Sequence, residues 1–341
     1  MPDAYDYITL MCRLKAAQTR NKELESGERY VKLMELHQRD CRNYEHKILG
    51  LQEKLTESHK ETIRVRNYWF QVLEDMISRL SREFALKTEA ERKSAYADML
   101  LSPVLLTDCT SAKESGKSCQ VFVCATPDGK ALYFAREKKG HEGVKGTVTE
   151  DYQGILVHDH DITFYNYGAD HQECLAHVLR YLKDSMDNEP DRTWNKEMRS
   201  LVREMIHFQK GFQPPQNPDP EKVSEYEKRY RKILETAKRE YGEVPASDYY
   251  RDGYNLFLRM EKYMQNHLLF LHDSRVPATN NEAERLLRNY KRKQAQAVTF
   301  RSFESIDYLC QCMSMLVLMR LEEPVDCYQS TPSVFLSLVS P

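Results

Sequence analysis

The feature that most restricts the fold of this chain is a long stretch, residues 18–95, that contains no proline and only two glycines, Gly27 and Gly50. Proline and glycine are the residues that disrupt helices most strongly, so this stretch favours uninterrupted helix. A heptad frame begun at Met34 places apolar residues at ten of thirteen a and d positions up to Met76. The pattern predicts either a coiled-coil seam, and so a homo-oligomer through the N-terminal helices, or a long helix packed on its own chain.

Length and composition limit the possible functions. A chain of 341 residues is long enough for two or three structural units with at least one sizeable core. The net charge of −2 means that any binding to nucleic acid must use local basic patches. Nine cysteines without a CxxC pair indicate free thiols in a reducing compartment and argue against a zinc ribbon. Because no apolar run approaches the roughly 18 residues of a membrane span, we predict a cytoplasmic protein without a membrane partner.

After residue 102 the sequence changes to short apolar runs separated by turns. Four of these runs predict strands: Val104–Asp108, Gln120–Ala125, Ala131–Phe134 and Gly154–Asp159. The first and the last each end in an aspartate, Asp108 and Asp159, although a single aspartate at a strand end is usually a turn or cap residue. Two such strands in one sheet predict a metal site. His158 and His160 flank the second aspartate, and a structural hydrogen bond is their more common use.

A third acidic signal stands at the start of a basic helix. Asn280 and Asn281 are residues that cap helices, and Glu284 follows in the first turn, where a carboxylate suits the helix dipole. Six basic residues and no acidic residue follow from Arg285 to Arg301. A carboxylate leading into a basic helix is what a metal site that also holds phosphates would need, but a capping box with a charged outer face explains the pattern too.

These motifs resemble those of transposases of the insertion sequence 66 family. The segment from residue 280 to 288 reads Asn-Asn-Glu-Ala-Glu-Arg-Leu-Leu-Arg and matches the family pattern Asn-Asn-x-x-Glu-Arg-x-x-Arg, in which the acid is Glu284 and not Glu282. The Asp-x-Thr of the family matches Asp108, and its second aspartate matches Asp159, 51 positions later. The family's Cys-x-Ala-His matches residues 174–177.

The resemblance implies a DDE transposase with an α/β fold, a ribonuclease H-like mixed sheet with a large helical insertion. It implies that Asp108, Asp159 and Glu284 are catalytic and bind Mg²⁺, for which Mn²⁺ can substitute. Asn280, Asn281 and His177 would support this site. Five basic residues would bind DNA, both transposon ends and target: Arg285, Arg288, Lys291, Arg292 and Lys293. The protein would act in the bacterial cytoplasm, associated with the nucleoid when bound to DNA.

Glu284 follows Asp159 by 125 positions, far more than one crossover connection needs. The intervening residues show helical periodicity, so we predict a helical insertion over residues 178–273, with a role in either DNA or protein contact. The other predicted regions are an N-terminal helical coiled-coil region, the two parts of the core and a C-terminal tail: residues 1–98, 99–177, 274–325 and 326–341.

The chain departs from the family in its N-terminal part. Full-length members usually carry a helix-turn-helix and a zinc-binding segment before the catalytic core, whereas residues 1–100 contain no CxxC pair. We therefore expect that the end-recognition module is absent or replaced. The sequence also fits a catalytically inactive relic, a coiled-coil module that docks DNA or protein, or a metal-dependent nuclease without strand transfer. The three intact acids favour an enzyme.

Overall fold

A computed structural model of the chain describes residues 4–22, 27–114, 116–212, 214, 216–296 and 302–322. Two compact units divide the chain, residues 1–76 and residues 77–341. Arg301 and the predicted C-terminal tail lie outside the described residues. Among the described helices, none combines the length and the apolar character that crossing a membrane requires.

The first unit is helical, as predicted. Helix α1 spans Ala4–Lys22, and helix α2 spans Gly27–Lys87, so α2 continues past the end of this unit. Side chains of both helices line one cavity, among them Tyr7, Leu10, Tyr44 and Ile48. Further along α2, side chains of the heptad seam are exposed: Leu51, Leu55, Val65, Trp69, Val72 and Met76. The long helix is confirmed, and its pairing with a second copy stays a prediction.

The second unit is built on a five-stranded mixed sheet with the order β3-β2-β1-β4-β5. Its strands are β1 (Val104–Glu114), β2 (Lys117–Ala125), β3 (Ala131–Arg136), β4 (Ile155–His158) and β5 (Asp170–Glu173). Strands β1 to β3 form an antiparallel meander, while β4 lies parallel to β1 and β5 parallel to β4. The predicted α/β class with a mixed sheet is confirmed.

Strand β1 is longer than predicted. We expected the strand to end at Asp108, but β1 continues to Glu114. The polar segment stays extended because its backbone pairs with β2 as far as Glu114 opposite Lys117. The turn is confined to the short connection that follows, where Gly116 adopts a φ of 87° that favours glycine. Asp108 therefore lies inside a strand.

Strand β5 carries no strand signal in the sequence. Its residues Asp170–Glu173 are all polar, whereas buried strands are normally recognised by apolar runs. The strand forms because its backbone pairs with β4, from Ile155 opposite Asp170 to His158 opposite Glu173. Its last residue is buried completely despite its charge.

Helices cover both faces of the sheet. On one face, α3, α4 and α5 pack on the strands, with spans Glu89–Leu100, His141–Val144 and Val148–Asp151. Helix α12 (Phe303–Glu322) packs along β3, where the Ser314 hydroxyl accepts a hydrogen bond from the Tyr133 backbone N–H at 2.8 Å. This contact pairs a backbone group of the outermost strand that would otherwise lack a neighbour.

The other face carries the helices from α6 to α11. They are α6 (Leu175–Asn188), α7 (Trp194–Gln209), α8 (Pro220–Glu243), α9 (Asp252–Lys262), α10 (Met264–His272) and α11 (Asn281–Gln296). Large side chains such as Trp194 and Tyr230 are completely buried within this layer, which forms one core with the sheet. Helices α7 to α10 fall within residues 178–273, where we predicted helices.

Candidate active site

Strands β1 and β4 bring Asp108 and Asp159 to the same level of the sheet. The parallel register pairs Val104 with Ile155, an offset of 51 positions that holds along the paired residues. Continuing this offset past the last paired residues sets Asp108 level with Asp159, which directly follows β4. Because side chains alternate along a strand, Asp108 lies on the same face as Val104, the face that α6 and α11 cover.

Helix α11 carries Glu284 towards the two aspartates, and the residue before the helix fixes its start. The side-chain amide Nδ2 of Asn280 donates a hydrogen bond to the carbonyl of Thr107 in β1 at 2.8 Å. The backbone N–H of Asn280 donates to Sγ of Cys174, directly before α6, at 3.1 Å. The start of α11 is therefore joined to both the central strand and the start of α6.

The sequence pattern suggested that the side chain of Asn280 caps α11, but it does not. Its backbone carbonyl accepts the N–H of Glu284 at 3.1 Å, but its amide nitrogen is used on β1. Its Oδ1 atom is buried and has no hydrogen-bond partner among the described residues. The tertiary contact with Thr107 takes the side chain away from the helix end. Asn281 is the first residue of α11 and is exposed.

The three predicted acids lie within electrostatic reach of one another. The pKa of Asp108 is raised to about 7, first by burial and then by the nearby charges of Asp159 and Glu284. The backbone N–H of Cys109, which donates to Asp108 Oδ1 at 2.7 Å, and the Arg180 guanidinium oppose this rise. A carboxylate whose pKa is raised by neighbouring carboxylates marks a concentration of negative charge.

Burial also raises the pKa of Asp159, while the backbone N–H of Asp161 and the imidazole of His177 act in the opposite direction. The N–H of Asp161 donates to Asp159 Oδ1 at 3.2 Å and orients the carboxylate. Both aspartates are thus partly buried, with one fixed oxygen each.

Glu284 is surrounded by basic groups from two helices. Its side chain is only 12% exposed, and its oxygens lie 3.3 Å from Arg180 Nη2 and 2.7 Å from Arg288 Nη2. His177 Nδ1 lies 3.6 Å from Glu284 Oε1. We did not predict Arg180. Its position three residues after His177, on the same face of α6, is the signal that could have identified it.

The predicted DNA-binding residues on α11 differ in their surroundings. Arg285 is paired with Glu282, yet its side chain is 60% exposed. Arg292 and Lys293 are exposed. Lys291 is half-buried and donates a hydrogen bond to a backbone carbonyl of β1. Most of this basic helix is therefore open to solvent, while Lys291 also has a structural role.

A buried carboxylate, Glu173, anchors a separate network that the sequence did not indicate. Its Oε2 accepts hydrogen bonds from Arg259 Nε at 3.0 Å and pairs with His267 Nε2 at 3.1 Å, and its Oε1 pairs with His160 Nδ1 at 2.7 Å. Burial alone would raise the pKa of Glu173, but these hydrogen bonds and charges hold it well below its usual range. The network joins β5 to α9 and α10. His158 contacts the backbone carbonyl of the next residue.

Most of the chain matches a known protein family. The family model described as the transposase IS66 family matches residues 63–307, which is more than half of the chain. The chain belongs to the IS66 transposase family. No curated protein matches it.

Membership of the IS66 transposase family places this chain among DDE-type transposases and implies DNA as its partner. The matched residues contain Asp108, Asp159 and Glu284. Those acids offer only carboxylate oxygens, the hard ligands that Mg²⁺ prefers. A cation among them would offset the repulsion that raises the pKa of Asp108, so the donor set of this IS66 family member fits a divalent cation.

Replacing Asn280 tests the bond that fixes α11. We expect Asn280→Ala to lower the free energy of unfolding by about 1–3 kcal/mol, because the Thr107 carbonyl loses its amide partner. The matched variant Asn281→Ala removes an exposed amide and should change it by less than about 0.5 kcal/mol. Urea unfolding followed by circular dichroism measures both. Equal changes in unfolding free energy for the two variants would show that the hydrogen bond from Asn280 to Thr107 does not hold α11 in place.

The raised pKa of Asp108 predicts that replacing this residue increases the free energy of unfolding by an amount that depends on pH. In the folded protein this pKa is about 7 against an ordinary 3.8, so the unfolded chain releases its proton first and wild-type stability falls as pH rises between these values. Asp108→Asn should therefore stabilise the protein at pH 8 in the presence of a chelator, by at most about 4 kcal/mol.

The increase in unfolding free energy caused by Asp108→Asn should fall towards zero as the pH falls to about 4. Unfolding curves at several pH values measure it, with Asp128→Asn in the exposed turn after β2 as the control that should show no such trend. A gain independent of pH would contradict the assignment.

Proposed function

We propose that this protein is a DNA transposase that cuts transposon ends and joins them to target DNA at a site formed by Asp108, Asp159 and Glu284. The observation that carries the proposal is the offset of 51 positions between β1 and β4, which sets the two aspartates level beneath the helix that bears Glu284. The strand order β3-β2-β1-β4-β5, with an antiparallel meander followed by two parallel strands, supports a ribonuclease H-like core.

The proposed cofactor is Mg²⁺, with Mn²⁺ as a substitute. Asp108 and Asp159 would hold it from adjacent strands, and Glu284 would complete the ligand set from α11. When bound, a pair of such ions activates the attacking oxygen and stabilises the leaving oxygen of a phosphodiester. The protein's own part is to fix the carboxylates, which it does through backbone N–H groups at both aspartates.

Transposition requires two exchanges at one site. In the first, a water oxygen bonds to the phosphorus at the transposon end, and the 3′-oxygen leaves as a hydroxyl. In the second, that hydroxyl attacks a phosphodiester of the target and displaces the target's 3′-oxygen. Each exchange forms one phosphorus–oxygen bond and breaks one, so no nucleotide cofactor is consumed.

The basic side chains beside the acids would position the DNA. Arg288 and Arg180 are 69% and 58% exposed while they contact Glu284, so their outer N–H groups can reach phosphates next to the reacting bond. Arg285, Arg292 and Lys293 extend this surface along α11. Such contacts fix the register of the duplex and carry little sequence information.

The exposed heptad seam of α2 supports a homo-oligomer. Leu55 and Trp69 both occupy a positions of the frame, and their side chains are 65% and 57% exposed. A row of exposed apolar side chains at heptad spacing is the surface that a second identical helix covers in a coiled coil. A dimer would also present two sites for two transposon ends.

DNA cleavage tests the three-acid site directly. We expect Mg²⁺- or Mn²⁺-dependent nicking of supercoiled or branched DNA by the wild type, reduced at least about 100-fold in Asp159→Asn and Glu284→Gln without loss of folding. Glu282→Gln is the matched control, since this acid lies in the same helical turn but pairs with Arg285 on the surface. Its activity should stay near wild type. If the wild type binds DNA but never cuts it with any metal, a docking role replaces the proposal.

Salt dependence tests the basic surface of α11. We expect Arg292→Ala to weaken binding to DNA duplexes of any sequence and to reduce the slope of log K against log salt concentration by about 1, because one phosphate contact is lost. Fluorescence anisotropy at several salt concentrations measures the slope. Lys93→Ala on α3 removes an exposed charge on the opposite side of the sheet and should leave the slope unchanged. Equal slopes for all three proteins would exclude a phosphate contact by Arg292.

Self-association tests the seam. We expect Leu55→Glu, at an a position, to weaken oligomerisation at least tenfold, about 1.4 kcal/mol, because it places a charge in the seam. Leu49→Glu changes a residue of similar exposure, 55%, at a b position outside the seam, about 120° around the same helix from Leu55, and should have little effect. Analytical ultracentrifugation measures both. A wild type that stays monomeric at all concentrations would favour the helix packed on its own chain.

A further inference from the structure

Asp108, Asp159 and Glu284 form one group of possible metal ligands, the acidic set. Glu284 also belongs to a second group. The thiol of Cys174, the imidazole of His177 and the Glu284 carboxylate each offer one ligand atom, and these atoms lie within 4.8 Å of one another. His177 Nδ1 and Glu284 Oε1 are 3.6 Å apart. Two ligands of a tetrahedral ion with bonds of about 2.1 Å would be about 3.4 Å apart, so this pair needs almost no movement to share Zn²⁺.

One buried ligand atom of this cluster, His177 Nδ1, has no hydrogen-bond partner in the described part of the chain, and the same is true of Oδ1 of the neighbouring Asn280. Buried polar atoms are normally paired, so an unpaired imidazole nitrogen beside a thiol and a carboxylate indicates a ligand position. Asn280 is completely buried, and its backbone N–H donates to the Cys174 sulfur at 3.1 Å. Hydrogen bonds of this kind orient metal ligands from the outer shell.

The three ligands are held by elements that are already fixed to each other. Cys174 directly precedes α6, and His177 lies in the first turn of that helix. Glu284 lies in the first turn of α11, whose start is joined to Cys174 through Asn280. The cluster is therefore part of the folded framework and does not depend on the adjustment of a loop.

We propose that Cys174, His177 and Glu284 bind Zn²⁺, with a fourth position open to water, and that Zn²⁺ bound there inhibits DNA cleavage by withdrawing Glu284 from the acidic set. A thiolate combined with an imidazole selects Zn²⁺ over Mg²⁺, which prefers oxygen ligands. The inhibitory part rests on the proposed function, because it requires Glu284 to serve in DNA cleavage. The binding part does not.

Titration of the full chain with Co²⁺ tests the site without any cleavage assay. Co²⁺ takes tetrahedral sites like those of Zn²⁺ and shows a charge-transfer absorption when a thiolate binds it. The Cys41→Ser variant is the starting protein, since Cys41 lies 3.6 Å from the His37 imidazole on the surface of α2 and could bind Co²⁺ itself. We expect the thiolate band in this protein and its loss on adding Cys174→Ser.

Two further variants complete the binding test. Adding His177→Ala should weaken Zn²⁺ binding, measured by competition with a chromophoric chelator, at least about 100-fold, since even outer-shell changes cost 10–100-fold. Adding Cys124→Ser removes a buried thiol that contacts Thr149 and should leave the band intact. Circular dichroism confirms folding of each variant. The proposal is overturned if the starting protein shows no thiolate band, or if the band survives Cys174→Ser.

Inhibition of DNA nicking tests the sharing of Glu284. Each protein is assayed in Mg²⁺ with increasing Zn²⁺, and each rate is divided by the rate of the same protein without Zn²⁺. We expect at least about tenfold inhibition of the Cys41→Ser protein at Zn²⁺ concentrations that fill the site, and none in the double variant with Cys174→Ser. Equal inhibition of both would overturn the sharing of Glu284. If Co²⁺ binds as expected but no Mg²⁺-dependent nicking occurs, the proposed function fails and the zinc site stands.

Discussion

The parallel pairing of β1 with β4 is the constraint on which the rest of this structure depends. Parallel strands cannot be joined by a tight turn, so the chain must leave β1, complete β2, β3 and two short helices, and return in the same direction. The length of this excursion is the offset of 51 positions, and that offset sets Asp108 level with Asp159. A shift of the register by one residue would turn one of the aspartates to the other face.

The helical segment between β5 and α11 can be long without displacing Glu284, because its two ends meet. The backbone N–H of Leu175, at its beginning, donates to the carbonyl of Ala278, at its end, at 3.0 Å. Between these points, α7 to α10 bury their own large side chains, and Glu173 joins β5 to α9 and α10 through Arg259 and His267. The position of Glu284 therefore depends on the contact between Leu175 and Ala278 and only weakly on the length of the helical segment between them.

The sequence predicts those parts of the molecule that local patterns encode. The absence of proline predicted α2, apolar runs predicted β1 to β4, and short motifs pointed to Asp108, Asp159 and Glu284, which the fold brings within electrostatic reach of one another. Motifs report such residues because the chemistry of a site depends on a few residue types at fixed spacing.

Other features depend on partners distant in the chain and have no local pattern. Strand β5 is polar and forms only because β4 offers it a backbone edge. Glu173 can be buried because Arg259 and His267, 86 and 94 positions later, make hydrogen bonds to its carboxylate. The side chain of Asn280 could be expected at a helix cap, but not on Thr107, which is 173 positions earlier in the chain.

That last separation has a consequence for the protein during its synthesis. A growing chain emerges from its N-terminus, so β1 to β5 and all the helices up to α10 are made before Asn280 can dock on β1. The acidic set stays incomplete until most of the polypeptide exists, and a prematurely terminated product has only two of its three carboxylates. Under the proposed function, an unfinished copy would therefore lack a complete site for DNA cleavage.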